Sequence, residues 1–220
     1  MTEKYILFDF DGTVADSSEG VFAGVLYAFE KMGMEKPDSN ELRRFIGPPL
    51  KESFMTRHGL NGEESDRAVA YYRELYSESG VLMCRAYEGI DRLFENLNKK
   101  GFTLAIATSK PEKYAVQILD YLGLSHHFAY IAGAQFHGAR TDKPSVIEYA
   151  LESLNISPSQ ALMVGDRFHD IEGAKSFGMR CACVTWGFGD RAEFEHYGAD
   201  FICENMKELE ELILNLPDKE

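Results

Sequence analysis

Cysteine, positive charge and long apolar runs are all scarce in this chain, and each scarcity removes a class of function. Four cysteines stand among 220 residues. Cys84, Cys181, Cys183 and Cys203 lack the paired spacing of a zinc site, and Cys181-Ala182-Cys183 reads as one face of a strand. They are expected to be reduced thiols of the core. Lysine and arginine number 23 against 36 acids, a net charge of −13. Neither nucleic acid nor an anionic membrane surface is therefore expected as a partner, because both demand a basic stripe. An anionic substrate has to meet positive charge that is local. No apolar run approaches the roughly 18 residues of a membrane span, and the N-terminus lacks the charged start and apolar stretch of a signal peptide, so the expected compartment is the cytoplasm. There is no internal repeat, and only residues 217–220 read as a loose tail.

What the chain does have begins at Tyr5-Ile6-Leu7-Phe8-Asp9-Phe10-Asp11-Gly12-Thr13. Tyr5 to Phe8 is branched and aromatic enough for a buried strand, yet Asp9 interrupts it and Gly12 ends it. A buried ionised carboxylate is costly unless paired, hydrogen-bonded or metal-bound, so Asp9 and Asp11 read either as strand-end acids facing a cation or as part of a plain Asp-Gly turn.

Helices follow. Asp16-Ser17-Ser18 offers an N-cap, and Val21, Val25, Leu26 and Phe29 recur at helical spacing up to Gly33. Ser39 is placed to cap a second helix through Phe45, broken by Gly47-Pro48-Pro49. A third is expected over 50–58 and a fourth over 63–79, with Ala68, Tyr72, Leu75 and Tyr76 on one face. Residues 16–82 hold no convincing strand. From Tyr87 the pattern alternates. Strands are expected at 102–108, 130–132, 161–165, 180–184 and 200–202, with helices between them, one opening at Lys143-Pro144 and another at His169. This is α/β grammar: a parallel sheet covered on both faces, which binds ligands at the carboxyl ends of its strands. Asp9, Asp11, Thr108, Ser109 and Asp166 all fall at such ends.

Asp9-Phe10-Asp11-Gly12-Thr13, Thr108 within Ala107-Thr108-Ser109-Lys110, Lys143 before Pro144, and Gly165-Asp166-Arg167-Phe168-His169-Asp170 together resemble the four signature motifs of the haloacid dehalogenase superfamily, in order and over most of the chain. The helical section is similar to the cap of phosphoglycolate-phosphatase-like members. The resemblance implies a Rossmann-like, doubly wound core at 1–15 and 83–220 with an inserted helical cap at 16–82. It implies a Mg2+-dependent phosphatase acting on a small-molecule phosphate ester, phosphoglycolate- or nucleotide-like, through an aspartyl-phosphate.

By the same resemblance Asp9 is nucleophile and metal ligand, and Asp11 is the acid and base that also lends its carbonyl to the metal. Asp166 is the third ligand, with Asp170 behind it orienting a metal-bound water or Lys143. Thr108 and Ser109 donate to the phosphoryl oxygens, and Lys143 supplies compact positive charge. The dehalogenase branch lacks the second aspartate, whereas Asp11 is present here. Sugar phosphomutases carry a histidine ten residues beyond that aspartate, where this chain has Val21. A phosphomutase or an inactive binding member are the alternatives. In the cap loop Arg44, Gly47 and Lys51 are placed to meet the rest of the substrate, with plain helix-surface charge an equal reading of the two cations. His126, His127 and His137 read as loop residues, His169 as a helix-start or structural residue or else a substrate contact, Tyr71, Tyr72 and Tyr76 as core, and Trp186-Gly187-Phe188-Gly189 chiefly as packing beside the site. Oligomeric state is not legible.

Overall fold

The computed structural model describes residues 4–136 and 138–216. The expected tail at 217–220 and His137 lie outside the described residues. The chain divides into two compact units, residues 1–16 with 86–220, and residues 17–85.

The first unit begins with β1 (Tyr5–Phe8), whose last three residues are fully buried, and the short β2 (Ala15–Asp16). The second unit then supplies α1 (Ser18–Met32), α2 (Ser39–Arg43), α3 (Leu50–His58) and α4 (Gly62–Glu78). Gly33 and Gly59 end α1 and α3 in the left-handed region, as their positions predict. Phe29, Phe45 and Phe54 pack together with the His58 ring, and Tyr72 and Tyr76 are buried. Ser39 does not cap α2. Asp38 does, its carboxylate accepting the Asn40 and Glu41 N–H groups at 2.8 Å each, and the helix ends at Arg43 rather than Phe45.

The chain then passes β3 (Arg85–Ala86), which pairs with β2, and alternates. The order is α5 (Ile90–Lys99), β4 (Thr103–Pro111), α6 (Glu112–Tyr121), β5 (Phe128–Ala134) and α7 (Lys143–Leu154). After these come β6 (Ala161–Gly165), α8 (Phe168–Lys175), β7 (Arg180–Val184), α9 (Arg191–Tyr197), β8 (Phe201–Cys203) and α10 (Met206–Leu214). Six strands form one sheet in the order β5-β4-β1-β6-β7-β8, each neighbouring pair parallel. β1 lies between β4 and β6, so the crossovers leave it in opposite directions. Its carboxyl end is the switch point where such sheets open a crevice.

Two strands run longer than periodicity predicts. β4 stays extended through Thr108-Ser109-Lys110 to Pro111, with an irregularity in its pairing to β5 between Thr108 and Pro111. β5 gains residues at both ends of the expected 130–132. Thr108 and Pro111 pair with Gly133 and Ala134, so each strand's polar or small end residues extend the other, with Ser109 and Lys110 in the irregularity between them. All four cysteines are reduced thiols, three of them buried. No helix among the described residues is long and apolar enough to cross a membrane.

His126 and His127 are not plain loop residues. They lie in a 3-10 turn, where His127 is buried with its Nε2 2.7 Å from Asp91 Oδ1. Asn98 donates to the His127 carbonyl at 3.1 Å, and its amide stands 3.5 Å from Nδ1. The pairing partner comes from α5, distant in sequence, so the residues carry no local signal for it.

Candidate active site

β1 delivers Asp9 to the sheet's carboxyl edge, where the Asp9 N–H donates to the Val164 carbonyl at 2.8 Å. Gly12 then turns the chain with φ at 86°, and a Cβ there would stand 2.0 Å from Asp166 Oδ2. Only glycine satisfies both the left-handed backbone and that approach. The turn expected from Asp11-Gly12 and the strand-end acids are therefore one feature. Thr13, fully buried, donates its hydroxyl to Asp166 Oδ1 at 3.1 Å.

Asp166 follows β6 and is fully buried. Its other oxygen accepts the Phe188 N–H at 2.7 Å. Trp186 Nε1 donates to the Thr13 carbonyl at 3.2 Å. The Trp186-Gly187-Phe188-Gly189 segment thus does more than the packing expected of it: it braces both the Asp166 carboxylate and the turn after β1.

Lys143 is the first residue of α7, its side chain 4% exposed. The ammonium reaches Asp9 Oδ1 at 2.7 Å, Asp170 Oδ1 at 2.8 Å and the Ala107 carbonyl at 3.0 Å. The ammonium donates to the carbonyl and forms ion pairs with the two carboxylates. Burial pulls the lysine's pKa down, but Asp170 and Asp9 outweigh it and hold the ammonium above its ordinary value. Lys143 is no surface residue.

Asp170 serves two purposes. At the third position of α8 its Oδ2 accepts the Arg167 N–H at 3.0 Å, the helix-start role, while Oδ1 faces Lys143. Burial pushes its carboxyl up to about 6, with Lys143 opposing and Asp9 adding to the rise. Burial likewise holds Asp166 well above the usual carboxylate range, reinforced by Asp9 and Asp170 and resisted by the Phe188 N–H. His169, half-buried between these acids in sequence, is kept toward its neutral form by burial and by the charges of Arg167 and Lys143.

Thr108 is buried, and its Oγ1 accepts the Lys110 N–H at 3.2 Å. Accepting that bond leaves the hydroxyl proton directed elsewhere. Ser109 is half-buried beside it. The residue that sequence reasoning passed over is Lys110. Its side chain is 4% exposed and its ammonium holds both oxygens of Asp11, at 2.9 and 3.0 Å. The ammonium also stands 5.7 Å from the Phe10 ring centroid. Arg44, Gly47 and Lys51 belong to the other unit, where Arg44 stands 3.5 Å from Glu41 and Lys51 2.7 Å from Asp66, both cations largely exposed.

Asp9, Asp166 and Asp170 offer oxygens that all lie within 4.8 Å of one another. Among the described residues, the carboxylates of Asp9, Asp11, Asp166 and Asp170 outnumber the cations set against them, the Lys110 and Lys143 ammonium groups and, from further off, Arg167. An all-oxygen donor set with surplus negative charge fits a hard divalent cation, which would also relieve the strain on Asp166 and Asp170 to hold protons.

The family model of the haloacid dehalogenase-like hydrolases matches residues 6–184 of this chain. The chain belongs to that family. Among the relatives of this haloacid dehalogenase-like hydrolase, a Pseudomonas aeruginosa protein named 5'-nucleotidase is 36% identical over 208 residues, 94% of each chain. The Mycobacterium tuberculosis protein named tyrosine-protein kinase PtkA is 38% identical over 191 residues, 87% of this chain and 65% of that one. Among solved structures, a predicted phosphatase from Clostridium acetobutylicum superposes with a TM-score of 0.93 at 39% identity, covering 97% of this chain and 99% of that one. As a haloacid dehalogenase-like hydrolase with these relatives, the protein is a phosphoric monoester hydrolase.

Proposed function

We propose that the protein is a Mg2+-dependent phosphatase of the cytoplasm that hydrolyses a small phosphate monoester, phosphoglycolate- or nucleotide-like, through an aspartyl-phosphate on Asp9. The observation that carries this reading is the meeting of Asp9, Asp166 and Asp170 around the Lys143 ammonium at the carboxyl end of β1. Asp9, Asp166 and the Asp11 carbonyl would hold the Mg2+, which when bound neutralises charge on the phosphoryl group.

The chain's own residues supply the rest. Asp9, paired with the Lys143 ammonium, attacks phosphorus and forms an acyl phosphate as the P–O bond to the leaving alcohol breaks. Asp11 gives the alkoxide its proton, then takes one from the water that attacks the acyl phosphate, restoring Asp9 and releasing inorganic phosphate. Thr108 and Ser109 donate to the phosphoryl oxygens, and Lys143 holds charge against them as it spreads in the transition state. Asp170 fixes Lys143. The helical unit is the cap, with Arg44, Gly47 and Lys51 the residues of its loop placed to meet the leaving group.

Release of inorganic phosphate from an aryl phosphate with Mg2+, lost on adding chelator and extended to a panel of phosphorylated metabolites, tests the reading. Transfer of phosphate to another acceptor without release, or activity indifferent to chelator, would contradict it.

Lys110 has its own expected effect. By gripping both Asp11 oxygens it fixes where the acid points, and general acid catalysis contributes about 10²–10⁴-fold in such reactions. Lys110→Met is expected to slow an alkyl phosphate by about 10-fold or more, out of that range, and an aryl phosphate with an acidic leaving group much less. Equal losses on both substrates would remove Lys110 from the handling of Asp11.

A further inference from the structure

Thr108 and Lys143, the two groups proposed to face the phosphate, come from different segments. Thr108 lies near the end of β4 and Lys143 at the start of α7, after the connection that follows β5. A separate set of contacts links the start of α6, which follows β4 directly, with β5 and α7. Arg140, three residues before Lys143, reaches Glu112, the first residue of α6, at 2.8 Å. Its guanidinium lies 3.6 Å from the ring centroid of Tyr149 on α7, and its side chain is only 14% exposed. The Arg140 carbonyl accepts the Gln135 N–H at 2.7 Å.

Glu112 is held in turn by β5. Its Oε2 accepts the Gly133 N–H at 3.3 Å as well as the Arg140 bond. A Cβ at Gly133 would stand 2.4 Å from the Glu112 Cα, so glycine is needed for the strand to lie this close to the start of α6. Tyr149 is bonded to Tyr130 of β5, hydroxyl to hydroxyl at 2.6 Å. Burying a guanidinium costs free energy unless it is paired and stacked, and this one is both.

We propose that Arg140 is a positioning residue for phosphoryl transfer. By clamping Glu112 on one side and Tyr149 on the other, it sets the spacing between the end of β4, with Thr108, and the first turn of α7, with Lys143. This rests on the phosphatase reading above. The contacts of Arg140 are to Glu112, Tyr149 and Gln135, none of them a residue given to the metal or the phosphoryl group. Misplacing a reacting group by about 1 Å costs up to about 10²-fold in rate, so the effect falls on the transition state rather than on binding.

The test measures hydrolysis of an aryl phosphate with Mg2+ by the full chain, unmodified and as Arg140→Met, Arg140→Ala, Arg140→Lys, Glu112→Gln and the Arg140→Met/Glu112→Gln pair. Arg140→Met is expected to lower kcat by about 10–100-fold with KM within about 3-fold, inside the range a small displacement produces. Glu112→Gln is expected to lower kcat in the same sense, and the double variant to be no worse than Arg140→Met, because both remove one clamp. Arg140→Lys should rescue poorly, since an ammonium cannot stack on Tyr149 while pairing with Glu112. Guanidinium ion at low concentration should partly restore kcat to Arg140→Ala, and ethylammonium should not. A merely structural residue would lower the melting temperature and leave kcat per folded molecule unchanged.

Wild-type kcat in folded Arg140→Met overturns the inference, as does a loss that is additive with Glu112→Gln and untouched by guanidinium. If Arg140→Met does not fold, Arg140→Lys and Glu112→Gln decide on the same readouts. An unmodified protein that releases no phosphate would instead overturn the phosphatase reading, and the clamp with it.

Discussion

Asp9→Asn is expected to lower turnover by about 10⁵-fold or more, the scale on which loss of a nucleophile acts in hydrolases, while leaving the protein folded. The asparagine amide is a poor nucleophile, yet its carbonyl oxygen still accepts from the Lys143 ammonium that now sits 2.7 Å from Asp9 Oδ1. The substitution also removes one of three carboxylates clustered within 4.8 Å. Without metal, that relief favours the folded state. The melting temperature of metal-free Asp9→Asn should therefore equal or exceed that of the unmodified protein, and its rise on adding Mg2+ should be smaller. A variant that loses activity because it unfolds would not support the role given to Asp9.

Lys143→Met is expected to damage both stability and rate. The ammonium is the shared partner of Asp9, Asp170 and the Ala107 carbonyl. Removing one member of a buried ion pair costs about 3–5 kcal/mol, because the remaining charges stay buried without compensation. The cost falls as pH drops. Burial and Asp9 already hold Asp170 above its ordinary value even against Lys143, so once the lysine is gone the carboxyl takes up a proton more readily still. Its folded pKa then lies further above the unfolded value. The variant therefore gains stability relative to the unmodified protein as pH falls through that pKa, and loses it as pH rises. Loss of one pre-organised charge at the phosphoryl group adds a rate loss of about 10²–10³-fold. Denaturant unfolding across pH and initial rates at saturating substrate measure the two effects separately. Lys143→Met with unchanged midpoint and rate would show that the buried triad matters to neither.

The α/β alternation and the strand-end acids are plain in the sequence because each is local: an apolar run, then a carboxylate, then a turn residue. Asp9, Thr108, Lys143, Asp166 and Asp170 stand at such boundaries, and the structure brings Asp9, Lys143, Asp166 and Asp170 together. Partners that depend on distant segments were not legible. Lys110 finds Asp11 only because β4 stays extended to Pro111, which the polar Thr108-Ser109-Lys110 conceals. Thr13 and Trp186 meet through one hydrogen bond across 173 positions of sequence. Nothing in the spacing of Arg140 and Glu112 announces their pairing across 28 positions. The cap for α2 was misread by one residue because Asp38 and Ser39 are both good N-caps, and only the folded chain shows whose oxygen reaches the free N–H groups.

On the proposed mechanism the phosphoryl group passes through Asp9. The most direct measurement is an acid-quenched reaction with Mg2+ and an aryl phosphate, followed by mass analysis of the peptide spanning residues 4–16. One added phosphoryl group is expected on that peptide, labile to base and hydroxylamine, located on Asp9 and missing from Asp9→Asn. Phosphate release at full rate with no phosphorylated Asp9 peptide at any quench time, or the same adduct formed in Asp9→Asn, would contradict it.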